Sequence, residues 1–260
     1  MGNPRRRSPR LERPDRLDLA LARWGIASIW LLTGVLVLHP AYRKVGGEFL
    51  RPLGLPAWIM LVACAGEVVL GLRVALGPAR TWLAAMQLGG IAFFTAVLAW
   101  EDPHLLVHRF GILTKNVPIA ALVLVQWLVE REGWTPRACR ILRAGMAVIW
   151  LTEGIFPKIL FQSPDEVATV AGSGLVPGDP ARFLVFMGAC QAASGLAALL
   201  LRGRALGIVL LCQAAALVFL PLLVSWQDPL LWVHPFGPMT KNLPILAGTL
   251  LAARRCTERP

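Results

Sequence analysis

The chain has 260 residues, of which 56% are hydrophobic and 16% are charged, and its formal net charge is +11. Soluble domains carry charge at about a quarter of their positions, so this composition is typical of a membrane protein. The basic residues stand between apolar segments and do not form one soluble face, which argues against nucleic acid as a partner. We expect a lipid bilayer as the partner, with arginines close to anionic headgroups.

The chain begins with a polar segment rich in arginine and proline. An apolar segment follows it, but no small-x-small cleavage site comes after that segment, as a signal peptide would require. We therefore interpret residues 1–22 as a basic, disordered cytoplasmic tail.

Eight apolar segments follow the tail, each close to the ~20 residues that a spanning helix needs. Glycine and proline separate them. The fold class predicted is an all-α membrane protein with about eight transmembrane helices. The predicted helices are 23–38, 57–76, 80–100, 115–130, 139–156, 181–201, 204–225 and 240–254.

Most of the 26 Lys and Arg residues fall on the side of the predicted bundle that holds both termini. Because cytoplasmic loops are enriched in Lys and Arg, this bias predicts that both termini are cytoplasmic. The localisation expected is a cell membrane of the bacterial inner-membrane type.

A segment at the end of the third predicted helix recurs later in the chain. Residues 100–118 match residues 226–244, with Trp, Asp, Pro, Val, His, Phe, Gly, Thr, Lys, Asn and Pro in register, and residues 23–30 align with 143–150. The chain therefore divides into two four-helix repeats, 23–133 and 134–256. Since four is even, the repeats enter the membrane in the same direction, and they are predicted to be parallel about a pseudo-two-fold axis along the membrane normal.

Two motifs carry a family resemblance. One is His-x-Phe-Gly-x-x-Thr-Lys-Asn-x-Pro, which occurs once per repeat, and the other is Trp-x-x-Glu-Gly-Ile-x-Pro-Lys from Trp150 to Lys158. Together they resemble the DoxX-like family of membrane proteins over nearly the whole chain after the tail. The first repeat departs from the pattern, because Thr33 stands where the second repeat has Glu153 and the Ile-x-Pro-Lys sequence is missing.

The resemblance implies a function that the residues alone do not give. Relatives in the wider family are described as subunits of quinol oxidases or thiosulfate:quinone oxidoreductases. It therefore implies a subunit of a quinone-linked oxidoreductase system, with a quinone as ligand and a soluble oxidoreductase as partner. It does not decide whether the chain is itself an enzyme, and no catalytic residue is assigned.

The repeated outer-loop motif is the first group of candidate site residues. We expect each loop to hold an Asp–Lys pair and a packed histidine, with the asparagine capping the next helix. The alternative is an anion or headgroup site, since a helix N-terminus next to a lysine attracts negative charge. The motif residues are Asp102, His108, Lys115 and Asn116 in the first repeat, and Asp228, His234, Lys241 and Asn242 in the second.

The second group contains polar residues inside predicted spans, where ionisable groups are costly and often functional. We expect Glu153 to pair with Lys158, and Glu67 to be either a hydrogen-bonded strut or a proton acceptor beside a cavity. Each repeat keeps one carboxylate on a different helix, which suggests that one composite site has replaced two equal ones. The candidates are Glu67, Glu153, Lys158, Gln191, Gln87 and Gln213.

Metal, haem and thiol chemistry find little support in the sequence. The four histidines lie on predicted outer loops, so no metal or haem site is expected, and no cofactor other than the quinone is evident. The five cysteines form no C-x-x-C pair, and three lie in apolar segments, so we expect no disulfide framework.

Three functions are compatible with the sequence. The quinone-linked hypothesis predicts a narrow amphipathic slot that opens to lipid. A small-molecule transporter, or a membrane chaperone or assembly factor without catalysis, predicts a wide polar cavity open to one side. A structural role predicts that the polar residues only tie helices together.

Overall fold

The computed structural model describes residues 13–174, 176 and 178–257. Over these residues the chain is helical without a strand, and ten α-helices follow one another. They are α1 (Arg16–Leu36), α2 (Pro40–Leu50), α3 (Trp58–Leu76), α4 (Thr81–Glu101), α5 (Asn116–Glu132), α6 (Pro136–Ile155), α7 (Pro164–Gly172), α8 (Pro180–Leu200), α9 (Gly203–Gln227) and α10 (Asn242–Arg255). Short 3-10 helices, Pro103–Val107 and Pro229–Val233, lie before α5 and α10, and a π-helical turn, Phe156–Leu160, continues α6.

All eight predicted helices are present, but the first begins earlier than expected. The Asp15 side chain accepts a hydrogen bond from the Asp18 N–H, and the Asp18 side chain accepts one from the Asp15 N–H. This capping box starts α1 at Arg16, so residues 16–22 are helix and not tail. Residues 1–12 of the predicted tail lie outside the described part of the chain.

Four helices form the centre of the molecule, and they join the two halves reciprocally. We call α1–α5 the first half and α6–α10 the second half. Helix α1 packs on α10 and α6 packs on α5. Gly25 faces Ala247 at the first contact, and its counterpart Gly145 faces Ala121 at the second. These small residues let the backbones approach closely, as is typical of helix pairs in membranes.

The remaining long helices flank this centre: α3 packs on α1, α4 on α5, α8 on α6 and α9 on α10. Five helices, α1, α3, α4, α8 and α9, are long and apolar enough to cross a membrane. The bent pair made by α6 and α7 would be a sixth span. The prediction of eight spans is therefore not confirmed, since α5 and α10 are central helices of only 17 and 14 residues.

We call the end that holds residues 102–115 and 228–241 the loop end, and the opposite end the terminal end. At the terminal end, Asp18 is buried and accepts hydrogen bonds from Arg254, Arg255 and Trp134. These bonds tie the beginning of α1 to the end of α10.

The terminal end also contains a disulfide bond between Cys139 and Cys256. The sequence predicted no disulfide framework, and for this pair the expectation was wrong. The two cysteines are 117 residues apart in the chain and are brought together by the packing of α6 with α10, which no local spacing reveals.

Candidate functional site

A cavity of about 390 Å³ lies in the first half between α3 and α4. Helix α3 packs on α1 and α4 packs on α5, so these two helices diverge and leave space between them. The walls are mostly apolar, and the exposed side chains of Phe93 and Phe94 border the cavity on the α4 side. Because exposed side chains of spanning helices face lipid, this border lies on the membrane side of the cavity.

Helix α2 closes the cavity at the loop end, together with a loop of the second half. The Phe49 ring meets the Phe236 ring edge-on, with 5.3 Å between the ring centroids.

Neither α2 nor α7 was predicted from the sequence. Each begins at a proline, Pro40 or Pro164, that fits a first helical turn, and each is too short to resemble a span.

Few polar groups reach the cavity, and Glu67 and Lys241 are the charged residues among those that line it. The Glu67 Oε2 atom is buried and has no hydrogen-bond partner among the described residues. The Tyr42 hydroxyl lies 3.6 Å from the Cys64 sulfur. Thr33 and Asn116 complete the polar lining.

The two motif lysines cross between the halves. Lys115 Nζ donates to the Pro238 carbonyl at 2.8 Å, and Lys241 Nζ donates to the Ile112 carbonyl at 2.7 Å. Pro238 and Ile112 occupy equivalent positions in the repeated loops, so the exchange is reciprocal. The predicted Asp–Lys pairs within each loop were therefore wrong, because both lysines point into the opposite half.

The motif aspartates instead stay close to the surface. Asp102 accepts a hydrogen bond from the His104 N–H, and Asp228 accepts one from the Leu230 N–H, both at 3.1 Å. Each aspartate thus caps the 3-10 helix that follows it.

The sequence suggested that the asparagines cap the helices, but they do not. The N-cap positions are Lys115 and Lys241, so Asn116 and Asn242 are the first helical residues. Asn116 instead donates to the Thr95 hydroxyl of α4 at 2.7 Å. Asn242 is buried at the equivalent position.

The motif histidines fold their loops. The Nδ1 atom of His108 accepts from the Phe110 N–H, and that of His234 accepts from the Phe236 N–H. Burial, reinforced by Arg109, lowers the pKa of His108 to about 4, and burial also lowers the pKa of His234. Both imidazoles are therefore neutral at neutral pH, which suits an Nδ1 atom that accepts a hydrogen bond.

Two ion pairs lie at the loop end, and the carboxylates of both belong to the second half. Lys115 Nζ lies 3.7 Å from Glu153 Oε1, and Lys158 Nζ lies 3.3 Å from Glu166 Oε1. The predicted side-chain pair between Glu153 and Lys158 was wrong, because Lys158 reaches only the Glu153 carbonyl, at 3.2 Å. Glu166 was missed since it lies on α7, in a segment predicted as a loop.

The glutamines divide between the two halves. Gln87 accepts a hydrogen bond from Trp30 Nε1 at 3.1 Å and so joins α4 to α1. Gln213 donates to the Ser194 carbonyl at 3.1 Å and joins α9 to α8. Gln191 is buried beside Gly154. The predicted polar set is therefore spread over both halves. Glu67 is the member of it that lines the cavity, and Lys241 of the outer-loop motif lines the same cavity.

A family model described as "DoxX-like family" matches residues 27–124 and again residues 147–250. Two tandem matches are consistent with a tandem repeat. Comparisons with curated proteins and with solved structures give no significant match. Since the two matched segments cover most of the chain, this multi-pass membrane protein belongs to the DoxX-like family.

Proposed function

We propose that the protein is the membrane subunit of a quinone-linked oxidoreductase system and that it binds a lipid-soluble quinone in the first-half cavity. The observation that carries the proposal is the mostly apolar cavity between α3 and α4, which has Glu67 and Lys241 in its wall. Ligand sites are typically apolar with a few placed polar groups, and this cavity has that character.

The residues present fit the two ends of such a ligand. An alkyl tail suits the apolar wall beside Phe93 and Phe94, which continues into lipid. The Lys241 ammonium can donate to a ring carbonyl, and the unpartnered Glu67 oxygen can accept from the hydroxyl of the reduced ring. A bound quinone would supply proton-coupled electron transfer, with a soluble oxidoreductase as the electron partner.

The transporter and assembly-factor hypotheses predicted a wide polar cavity, whereas the cavity is lined mainly by apolar side chains. A structural role suits the second half better. There the ammonium groups of Lys115 and Lys158 face carboxylates, and Gln213 bonds to the backbone of α8.

We also propose how the helices lie in the membrane. Helices α5 and α10 cross it as shielded central helices, which brings the spans to eight in two parallel repeats. Both termini face the cytoplasm of a bacterial inner membrane, as the positive-inside rule predicts.

The test is purification in mild detergent, followed by an absorption spectrum and mass spectrometry of the co-extracted lipids. Ala63→Trp fills the cavity, and Ala189→Trp places the same side chain on the exposed face of α8 as a control. We expect a stoichiometric quinone with the wild type and with Ala189→Trp, and none with Ala63→Trp. A wild-type protein without quinone, or one whose quinone survives Ala63→Trp, would refute the proposal.

A further inference from the structure

The two motif lysines occupy equivalent positions in the repeats but differ in their neighbouring charges. Both donate to a carbonyl of the opposite half. Among the residues that the structure describes, Lys115 has a carboxylate beside it, Glu153 at 3.7 Å, and Lys241 has none. By the repeat, position 33 on α1 stands to Lys241 as Glu153 on α6 stands to Lys115. The residue at position 33 is threonine, and its hydroxyl donates to the Ile29 carbonyl of its own helix.

Lys241 is therefore a buried amino group without a carboxylate partner among the described residues. It is 8% exposed, and no carboxylate of the described residues lies within ion-pair distance of it. An uncompensated charge in an apolar interior is strongly unfavourable. Glu153 supplies the opposite charge beside Lys115, whereas the space beside Lys241 belongs to the cavity.

We propose that the cavity selects a ligand whose head group carries an ionised acidic oxygen, and that this oxygen pairs with Lys241 where a carboxylate is missing at position 33. The inference rests on the proposed function, since it concerns the same cavity and specifies the head group of its ligand. The ligand class is an amphipathic molecule with an acidic ring hydroxyl, such as an alkyl hydroxyquinone.

Glu67 also lines the cavity, but it does not act as the counter-ion of Lys241. It lies on α3, and within the described part of the chain it forms no ion pair with Lys241 and its Oε2 atom has no hydrogen-bond partner. A head group that lies between the two residues thus meets a cation on one side and a hydrogen-bond acceptor on the other. A ring that carries an anionic oxygen and a separate hydroxyl group satisfies both.

The test uses two alkyl naphthoquinones that differ only in an acidic ring hydroxyl, with affinity measured by calorimetry on the full-length protein in lipid nanodiscs at neutral pH. A charge-assisted hydrogen bond is roughly twice as strong as a neutral one, so the wild type should bind the acidic compound about tenfold more tightly. Thr33→Glu should remove this preference because it supplies the missing carboxylate. Thr33→Gln, which has the same shape without the charge, should retain it.

A control in the second half separates this effect from general changes in charge. The double variant Lys158→Met with Glu166→Gln removes an ion pair of the second half that does not act on Lys241, and it should leave the preference unchanged. Equal binding of both compounds to the wild type, or a preference that survives Thr33→Glu, would overturn the inference and leave the proposed function standing. Binding of neither compound to the wild type would overturn both.

Discussion

The two motif lysines show how equivalent residues acquire different electrostatic surroundings. Each reaches a carbonyl of the opposite half, so each joins the repeats at the loop end. Glu153 then neutralises Lys115, whereas Lys241 faces the cavity. The two repeats differ at this position, where the second has Glu153 and the first has Thr33. Lys115 is therefore part of a structural ion pair, whereas Lys241 is a candidate binding group.

Lys115→Met should destabilise the protein by about 3 kcal/mol, since it leaves the partly buried Glu153 carboxylate without a counter-ion. Adding Glu153→Gln to this variant should recover part of the loss, because the uncompensated carboxylate is then removed. Thermal unfolding in detergent measures both effects.

The control for this pair is Arg182→Met, which breaks the exposed pair with Asp179 and should cost less than about 0.5 kcal/mol. If Lys115→Met were as harmless as Arg182→Met, the buried pair would not contribute as described.

The motif histidines predict a loss of stability in acid. Burial lowers the pKa of His108 to about 4, below its ordinary value of 6.5, and lowers the pKa of His234 as well. Between these values the unfolded chain binds more protons than the folded protein. As far as these two histidines are concerned, the free energy of unfolding is therefore highest above about pH 6.5 and decreases as the pH falls towards 4.

Melting temperatures measured across this pH range should fall less steeply for the double variant His108→Gln with His234→Gln than for the wild type. His104→Gln changes an exposed loop histidine and should follow the wild-type profile. Identical profiles for the wild type and the double variant would show that these histidines do not cause the acid sensitivity.

The sequence identifies the important residue types but not their partners. The repeat singles out Lys115 and Lys241, and Glu67 is recognisable as a carboxylate inside a span. The crossed lysine contacts and the pairing of Lys158 with Glu166 were not predictable, because they depend on how the halves pack. Spacing along the chain predicts contacts within one loop or one helix turn, and these contacts join distant segments.

At the element scale, close helix packing depends on glycines at crossing points. Gly154 of α6 and Gly188 of α8 face one another, and a Cβ atom at Gly154 would lie 2.6 Å from the Gly188 oxygen. Such a separation is too short for any side chain atom, so the helices would have to move apart.

Gly154→Ala should therefore destabilise the protein by about 2 kcal/mol through overpacking. Gly89→Ala, on the exposed face of α4 with open space around it, should be neutral or stabilise by up to about 1 kcal/mol. Thermal unfolding of both variants in the same detergent compares them, and an equal effect at the two positions would contradict the packing described here.

The long helices were predictable because a run of apolar residues bounded by glycine and proline has one simple interpretation in a membrane protein. Helices α2 and α7 were not, since they are short and mixed in polarity. Their position matters, because α2 covers the cavity and α7 supplies Glu166. The divergence of α3 and α4 likewise has no signal in either helix alone.

For the whole molecule, the proposed orientation is testable with single cysteines at the two ends. Glu101 ends α4 at the loop end and Glu132 ends α5 at the terminal end, and both are exposed. In a background with Cys64, Cys190 and Cys212 changed to serine, Glu101→Cys should react with an impermeant maleimide on intact spheroplasts. Glu132→Cys should react only after permeabilisation, and the reverse pattern would place the termini outside.

Photolabelling can show whether a quinone-class ligand occupies the first-half cavity. A photoreactive quinone with an alkyl tail is irradiated with the purified protein in nanodiscs, and the labelled peptides are mapped by mass spectrometry, with excess unlabelled quinone as competitor. We expect labelling in α2, α3 and α4, which line the cavity, and we expect the competitor to reduce it. Labelling confined to α8 and α9, or labelling that the competitor does not reduce, would contradict binding in this cavity.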